Sequence, residues 1–316
     1  MKSKPIYVEI DVDADMETLW KHTQEPELHR QWDLRFSDIT YLPKPDDEER
    51  QAFLYRTRIG FGLDIAGTGE TKATIDVGIG SRLSTLSFGS KQRISLIRKG
   101  GGYWKYEPGE TGKGIVFKTR YDYDTRFGIG GKWLDRLLFR PLFGYATAWS
   151  FDRLRLWLEK GIYPAVSAEK AIVHYSSLLL LAFLWLYQGI VPKLLYPESG
   201  ELALLRQTGW FSGLEEIVLP LVGIGEIGLA FVLVANHRKK WAYKLQAVAL
   251  LALGVAALTG MPNMLKDPFN PLTLGLAMAG LGAAAARTAD ELPNAARCRR
   301  KPVGQSNDVK RGKGKS

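Results

Sequence analysis

Apolar and polar side chains alternate along much of the first 125 residues, which is the pattern of β-strands with one buried face. Strand-like runs cover residues 6–12, 53–59, 73–77, 82–88, 94–98, 103–106 and 114–124. Glycine-rich segments such as 100–102 stand between these runs and predict turns. The pattern therefore predicts an antiparallel sheet with one apolar, aromatic face and one polar face.

Three helices are predicted to accompany this sheet. Asp15 is placed to cap a short helix, and Pro26 opens a second one. Residues 132–160 are apolar at helical spacing, and Pro141 is expected to kink that helix because proline has no backbone donor. This order of elements predicts an α+β helix-grip domain over residues 1–162: a strand, two short helices, an antiparallel meander and a long closing helix.

The chain becomes strongly apolar after residue 170. Its four apolar segments are residues 171–190, 214–235, 241–260 and about 269–286. The first three have about 20 residues, enough to cross a hydrocarbon core of roughly 30 Å, and the fourth is shorter. These segments predict an all-α four-helix transmembrane bundle over residues 171–289, joined to the first domain by a linker at 163–170.

Charge orients the predicted bundle. The formal net charge is +10, and residues 290–316 are predicted to be a basic, disordered tail. The connection between the second and third segments holds Arg238, Lys239, Lys240 and Lys244, so the positive-inside rule makes it cytoplasmic. An even number of spans then places the first domain and the tail in the cytoplasm. We therefore expect a multi-pass protein of the cell membrane.

The sequence carries no catalytic motif, so no catalytic residue is assigned and an enzymatic role is not favoured. Cys298 is the single cysteine, and the four histidines lack the spacing of a metal site, so no metal ligand is assigned either. The Gly-x-Gly-x-x-Gly match at residues 223–228 lies within an apolar run without a preceding strand, which excludes a dinucleotide site. No basic stripe with interleaved aromatics indicates nucleic-acid binding.

The order of elements in residues 3–160, with the segment Pro26-Glu-Leu-His-Arg-Gln-Trp32-Asp33, resembles the START-like (SRPBCC, polyketide cyclase-like) superfamily. The resemblance implies a cavity for a hydrophobic ligand between the sheet and the long helix. A solid core filled by the same aromatic side chains is the alternative. The candidate cavity residues are Phe53, Tyr55, Phe117, Tyr121, Tyr123, Trp133, Leu137, Gly144 and Ala148.

Residues 170–290 resemble the DoxX-like membrane family. The first span ends in Gly189-Ile-Val-Pro-Lys193-Leu, similar to a family segment in which a glycine precedes Lys-Leu, and the second carries Leu221-Val-Gly-Ile-Gly-Glu226. A carboxylate midway along a span is costly unless it is paired or hydrated. Glu226 therefore belongs either to a quinone, proton or small-solute site or to a packing contact with a partner such as His174, Gln188 or Lys193.

Together these features predict a membrane-anchored protein that binds a lipid, isoprenoid or quinone-like molecule in a cytoplasmic helix-grip cavity. The alternatives are an accessory membrane subunit of a quinone-linked oxidoreductase and a stress factor that recruits a protein. No cofactor is identified, and a quinone remains open. The expected partners are membrane lipids, a hydrophobic small molecule and other membrane proteins.

Overall fold

The computed structural model describes residues 4–44, 50–60, 62–74, 80–109, 112–260, 262–267 and 270–302. The chain forms two compact units. The first consists of Met1–Ser167 together with Pro293–Ser316, and the second consists of Ala168–Leu292. The first unit is therefore discontinuous in sequence, because the whole second unit is inserted into it.

The first unit is built on a seven-stranded antiparallel sheet. Its strands are β1 (Ile6–Val12), β2 (Asp38–Tyr41), β3 (Gln51–Gly60), β4 (Leu63–Thr74), β5 (Arg82–Gly89), β6 (Ile97–Pro108) and β7 (Ile115–Thr125). They are ordered β1-β7-β6-β5-β4-β3-β2. In β7 the buried side chains alternate with more exposed ones, as the spacing of apolar residues predicts. The sheet therefore has one buried face, which the helices cover.

Four helices accompany the sheet: α1 (Met16–Gln24), α2 (Pro26–Trp32), α3 (Gly128–Leu134) and α4 (Arg140–Lys160). The Asp15 side chain accepts a hydrogen bond from the backbone of Thr18, which confirms the predicted cap. The π-helical stretch Asp135–Phe139 joins α3 to α4 directly before Pro141. The helix irregularity expected from proline is present there. The α+β helix-grip prediction is confirmed.

The three glycines at residues 100–102 lie inside β6, so the prediction of a turn there is wrong. A Cβ atom on Gly102 would lie 2.3 Å from the carbonyl oxygen of Arg120, and one on Gly100 would lie 2.7 Å from the Phe88 ring. Glycine is needed because these neighbours leave no room for a side chain, and not because the chain reverses. The strand-like runs predicted at 94–98 and 103–106 consequently belong to one strand, β6, and to the residues directly before it.

The segment after Pro293 packs onto the first unit, which corrects the prediction that the tail is disordered from residue 290. Arg299 and Glu9 of β1 exchange two backbone hydrogen bonds, of 2.9 and 2.8 Å. The Cys298 thiol donates to the carbonyl oxygen of Ala148 at 3.2 Å, and Ala295 is buried in the same core. Basic composition alone suggested a solvated segment, but Ala295 and Cys298 are buried.

The second unit is all α-helical. Its helices are α5 (Pro164–Ile190), α6 (Glu201–Thr208), α7 (Glu215–Ala235), α8 (Lys240–Gly260) and α9 (Pro271–Thr288). Among the described residues, four helices are long and apolar enough to cross a membrane, and each overlaps one of the four predicted spans. The predicted start at residue 269 lies outside the described residues. Helix α6 was not predicted. The linker predicted at residues 163–170 is also wrong, because α5 already begins at Pro164.

Candidate functional site

A small pocket lies inside the first unit, between α1, α2 and the inner face of strands β2 to β6. Its volume is about 30 Å³, which is room for about one water molecule. Most of its wall is aromatic or aliphatic, formed by Phe36, Ile39, Tyr41, Phe53, Leu86 and Trp104. The pocket is thus apolar and, in this conformation, too small for a lipid.

A chain of hydrogen bonds crosses one side of this pocket. The Gln24 amide donates to the Tyr106 hydroxyl at 3.0 Å, and the Ser84 hydroxyl donates to Gln24 Oε1 at 3.3 Å. The Ser84 hydroxyl also lies 3.0 Å from that of Thr71. Burial raises the pKa of Tyr106, which therefore stays a neutral hydroxyl. The pocket offers a bound molecule several neutral hydrogen-bonding groups.

His29 of α2 faces the pocket and belongs to a buried ionic cluster behind it. Its Nε2 donates to Asp33 Oδ2 at 3.1 Å. The Asp33 carboxylate is held by the Arg35 guanidinium, with Nε 2.8 Å from Oδ1 and Nη2 2.6 Å from Oδ2. A two-pronged pair of this kind fixes the loop after α2 and orients the His29 ring.

The pKa shifts in this cluster have opposing causes. Burial alone raises the pKa of the Asp33 carboxyl, but the Arg35 guanidinium outweighs it and holds the pKa well below its usual range. Burial lowers the pKa of the His29 imidazole, and the hydrogen bond to Asp33 offsets only part of that effect. At neutral pH the pocket therefore faces a neutral imidazole, while Asp33 and Arg35 remain charged.

Two of the candidate cavity residues lie at or near this pocket. Phe53 forms part of its wall. Tyr55 follows two positions later on the same strand face and is buried with Phe53 and Ile39. Burial raises the pKa of Tyr55 to about 12. The sequence therefore located the correct face of β3.

Three further candidates are packed into a solid core. Phe117 stacks on Phe151, with ring centroids 4.3 Å apart. The Tyr121 hydroxyl lies 2.7 Å from that of Thr147, and the Tyr123 hydroxyl donates to Asp135 at 2.7 Å. These side chains are buried as predicted, but their partners are other side chains of the core. At this end of the sheet the alternative of a filled core describes the structure.

Trp133 and Leu137 do not line a cavity. Their exposed fractions are 67% and 57%, and they lie on the outer side of the helical segment 127–138. This exposed apolar face consists of Phe127, Ile129, Trp133, Leu134, Leu137 and Leu138. The prediction failed because apolar spacing identifies a helix face but not the surface that the face meets.

Gly144 and Ala148 do not leave a space for a ligand either. A Cβ atom on Gly144 would lie 3.6 Å from the Ile6 side chain, which is ordinary van der Waals contact. Ala148 is fully buried, and its carbonyl oxygen accepts the hydrogen bond from Cys298. Small residues at these positions allow α4 to approach β1 and the C-terminal segment closely.

In the second unit, Glu226 and Lys193 form a buried ion pair. The Lys193 ammonium nitrogen lies 3.2 Å from Glu226 Oε2 and 3.5 Å from Glu201 Oε1. Glu226 Oε2 accepts no hydrogen bond from the described residues, so the contact is electrostatic. Of the roles considered for Glu226, pairing with Lys193 is therefore observed, and the sequence missed only the contribution of Glu201.

Only one of the candidates from sequence analysis, Phe53, lines the pocket. The polar lining residues that sequence analysis missed are Thr23, Gln24, His29, Thr71 and Ser84. His29 belongs to the segment that carried the START-like resemblance, but nothing in its spacing distinguished it from a surface histidine. Ser84 and Thr71 lie on the inner face of strands in which apolar neighbours dominate the pattern. Alternation along β5 was the available signal, since it places Ser84 on the same face as Leu86.

Comparison with known proteins finds a family for the membrane part and a relative for most of the chain. Residues 182–283 match the model of the DoxX-like family. The uncharacterised membrane protein YndG of Bacillus subtilis (strain 168) is 46% identical over 241 residues, which is 76% of this chain and 81% of YndG. Both findings agree with the four apolar helices described above.

Solved structures match the N-terminal half. TTHA0849 from Thermus thermophilus is 15% identical with a TM-score of 0.37 and covers 48% of this chain and 97% of its own. A START superfamily protein from Mycobacterium smegmatis is 16% identical with a TM-score of 0.36. The match covers 51% of this chain and 100% of that protein. The helix-grip arrangement itself rests on the strand order and the packing of α4 given above.

Proposed function

Because the chain belongs to the family of the Bacillus subtilis membrane protein YndG and carries a DoxX-like membrane domain, we propose that it is a membrane-anchored binding protein. Its first unit holds a hydrophobic ligand, of the lipid, isoprenoid or quinone-like class, in the pocket between α1, α2 and the sheet. The four spans anchor that unit at the membrane in which such ligands dissolve.

The observation that carries this proposal is the composition of the pocket. Ligand sites for small molecules are mainly apolar, with a few polar groups that fix the orientation of the ligand. Here an aromatic wall is combined with Gln24, Ser84 and the neutral face of His29. Apolar burial provides the affinity, and these three side chains provide hydrogen bonds for one polar end of the ligand.

The pocket must widen to admit such a ligand. Strand β2 is the wall best suited to move, since it has four residues and lies at the edge of the sheet, paired only with β3. Edge strands with few ladder bonds open at a lower free-energy cost than central strands. We therefore propose that separation of β2 and α2 from the sheet enlarges the pocket.

We place the first unit on the cytoplasmic side of the membrane. The connection between α7 and α8 is basic, and the positive-inside rule therefore supports a cytoplasmic location for it. The pairing of Arg299 with Glu9 supports an even number of spans, because it puts the chain before the first span and the chain after the last span in one unit. Four spans satisfy that condition.

The exposed apolar face on α3 supports a role at the lipid surface. Trp133 and Leu137 stand beside the exposed basic residues Lys132 and Arg136 on the same helical segment. Helices that lie in the membrane interface combine apolar side chains with Lys and Arg in this way. Contact of this face with anionic lipid would bring the pocket close to its source of ligand.

Native mass spectrometry of the full chain, followed by solvent extraction, tests the proposed pocket. We expect the wild type to release a specific apolar molecule and the filled variant Ser84→Leu to lose it. Thr85→Leu is the matched control, because Thr85 is the neighbouring residue on the exposed face of β5. Thermal melting checks that both variants fold.

Loss of the molecule only in Ser84→Leu supports the proposal. Equal retention by Ser84→Leu and Thr85→Leu assigns the molecule to another part of the protein and contradicts the pocket. Absence of any specific molecule from wild-type protein, extracted directly from its native membrane, also contradicts it.

A further inference from the structure

A groove in the second unit, between α8 and α9, is larger than the pocket of the first unit. Its volume is about 360 Å³, within the range of sites that hold small molecules. Its floor is formed by the small residues Ala247, Ala279, Gly282, Ala283 and Ala286. Small side chains on two neighbouring spans leave an apolar groove, which suits an acyl chain chemically.

Positive charge surrounds one end of the groove. Lys240 and Lys244 come from the first turns of α8, and Arg287 comes from the last turn of α9. Lys240 is paired with Asp290. Within the part of the chain that the structure describes, Lys244 and Arg287 have no carboxylate partner, and both are exposed. Two unpaired cations on facing helices are suited to one phosphate group.

Gln246 provides an independent indication of a ligand. It lines the groove and is only 1% exposed. Its Nε2 donates to the Met278 carbonyl oxygen at 2.9 Å, but Oε1 has no hydrogen-bond partner among the described residues. A Cβ atom on Gly282 would lie 2.9 Å from Oε1, so this acceptor faces the floor of the groove. A buried acceptor without a donor is costly, and a ligand hydroxyl would satisfy it.

We propose that the groove between α8 and α9 binds one anionic phospholipid. Lys244 and Arg287 hold the phosphate, one acyl chain lies along the small residues of the floor, and a hydroxyl of the lipid donates to Gln246. The site lies in the leaflet next to the basic connection between α7 and α8. It belongs to the membrane domain, so it does not depend on the pocket of the first unit.

The charge requirement is tested with the full chain in detergent by native mass spectrometry. Phosphatidylglycerol and phosphatidylcholine with the same acyl chains are added in equal amounts. We expect preferential retention of phosphatidylglycerol, and a preference about fivefold weaker in Lys244→Gln, which corresponds to roughly 1 kcal/mol per basic residue at a lipid surface. Lys239→Gln is the matched control, since Lys239 lies in the same basic connection but outside the groove.

The groove itself is tested by filling it. Ala283→Trp on the exposed floor is expected to abolish retention of phosphatidylglycerol without changing the charge. Ala277→Trp is the control, because Ala277 is an exposed residue of α9 that does not line the groove. Thermal melting in detergent shows whether both variants retain the fold.

The source of the phosphate is distinguished in the same experiment. Excess inorganic phosphate is expected to leave retention of phosphatidylglycerol unchanged, because the acyl chain contributes to binding. Displacement of the lipid by inorganic phosphate, or equal retention of the two lipids, would overturn the proposal. Equal effects of Ala283→Trp and Ala277→Trp would overturn the assignment to this groove.

Discussion

At the scale of single residues, the ion pair of Glu226 and Lys193 has a large energetic consequence. Both side chains are about 5% exposed. Removing two charges from water costs several kcal/mol per ion, and their mutual attraction compensates for this only when both are present. Each residue is therefore required because of the other, and loss of one leaves an unpaired buried charge.

We expect Lys193→Met to lower the free energy of unfolding by about 3–5 kcal/mol, because it leaves Glu226 charged and buried without its partner. Glu226→Leu is expected to cost less, since Lys193 keeps Glu201 at 3.5 Å. The double variant Lys193→Met, Glu226→Leu should recover most of the loss. Thermal unfolding of the full chain in detergent measures all three.

The exposed pair of Arg206 and Glu216 is the control for this cycle. Pairs of that kind contribute about 0–1 kcal/mol, so Arg206→Met should have a small effect. Additive losses in the double variant of Lys193 and Glu226 would contradict the coupling.

His29 makes the stability of the first unit sensitive to pH. Burial lowers its pKa in the folded protein below the value of 6.5 expected for the unfolded chain. Below that pH the unfolded chain binds a proton more readily, so stability is fully present above about pH 6.5 and falls as the pH decreases. The slope approaches about 1.4 kcal/mol per pH unit at most.

The prediction is that melting temperatures of the full chain decrease between pH 7.5 and pH 5.5, and that the decrease is smaller in His29→Gln. Glutamine retains a donor for Asp33 but does not titrate. Intrinsic fluorescence follows the transition, since Trp32 and Trp104 pack against His29. An equal decrease in both proteins would show that other groups carry the pH dependence.

These two residue-scale features were not equally predictable. Glu226 was evident from the sequence, because a carboxylate within an apolar run has few roles open to it. His29 was not, since its burial depends on Trp104, which comes from a distant strand, and on Phe36 in the loop after α2. The pocket wall is formed by residues from several strands, helices and loops. Sequence periodicity predicts which face of each strand or helix is buried, but not which of these faces pack against one another.

At the scale of elements, the closest contact in the membrane domain joins α5 to α7 through two glycines. A Cβ atom on Gly189 would lie 2.6 Å from the carbonyl oxygen of Gly223, and one on Gly223 would lie 2.7 Å from that of Gly189. The helix backbones therefore touch at this point, as small residues at helix contacts in membranes permit. This contact precedes Lys193 by one helical turn and helps to bring it to Glu226.

We expect Gly223→Ala to destabilise the membrane domain by about 1–3 kcal/mol, because the added methyl group forces the two backbones apart. Gly225→Ala is the matched control. It lies on the same helix, a Cβ atom added there would meet no atom within 4 Å, and alanine favours helix by about 1 kcal/mol over glycine. The melting temperature in detergent should therefore fall in Gly223→Ala and rise in Gly225→Ala. A loss in both variants would contradict the contact.

Element boundaries were predicted well where periodicity is long and poorly where glycine is concentrated. Each predicted span falls on one long helix, because long apolar runs have few alternative structures, but α5 begins at Pro164 and not at the predicted residue 171. Of the glycines in the segment 223–228, Gly223 lies at a close helix contact, whereas a Cβ atom on Gly225 or Gly228 would meet nothing within 4 Å. A glycine in the sequence does not reveal whether it marks a turn, a close contact or neither.

At the scale of the whole molecule, the first unit is completed by residues that follow the last span. Arg299 lengthens the sheet by a short bridge beside β1 and also forms ion pairs with Glu9 and Asp11. Because β1 is an edge strand, this segment protects backbone groups that would otherwise be open to pairing with another chain. The sequence did not predict it, since one bridge gives no alternating pattern.

A chain that ends at residue 292 should have a less stable first unit than one that ends at residue 302. The expected loss is about 2–4 kcal/mol, from two backbone hydrogen bonds and the burial of Ala295 and Cys298. Hydrogen exchange of β1 peptides measures it. Equal protection of β1 in the two chains would show that the segment contributes nothing to stability.

The late position of Arg299 also sets the order in which the protein matures. A ribosome that has finished Ser167 must add about 130 residues before it reaches the partner of Glu9, which takes roughly 7–26 s at ordinary rates of synthesis. All four spans are made during that interval. Completion of the sheet edge therefore follows synthesis of the membrane domain, and a chain arrested or cleaved earlier keeps the edge of β1 open to pairing with another chain.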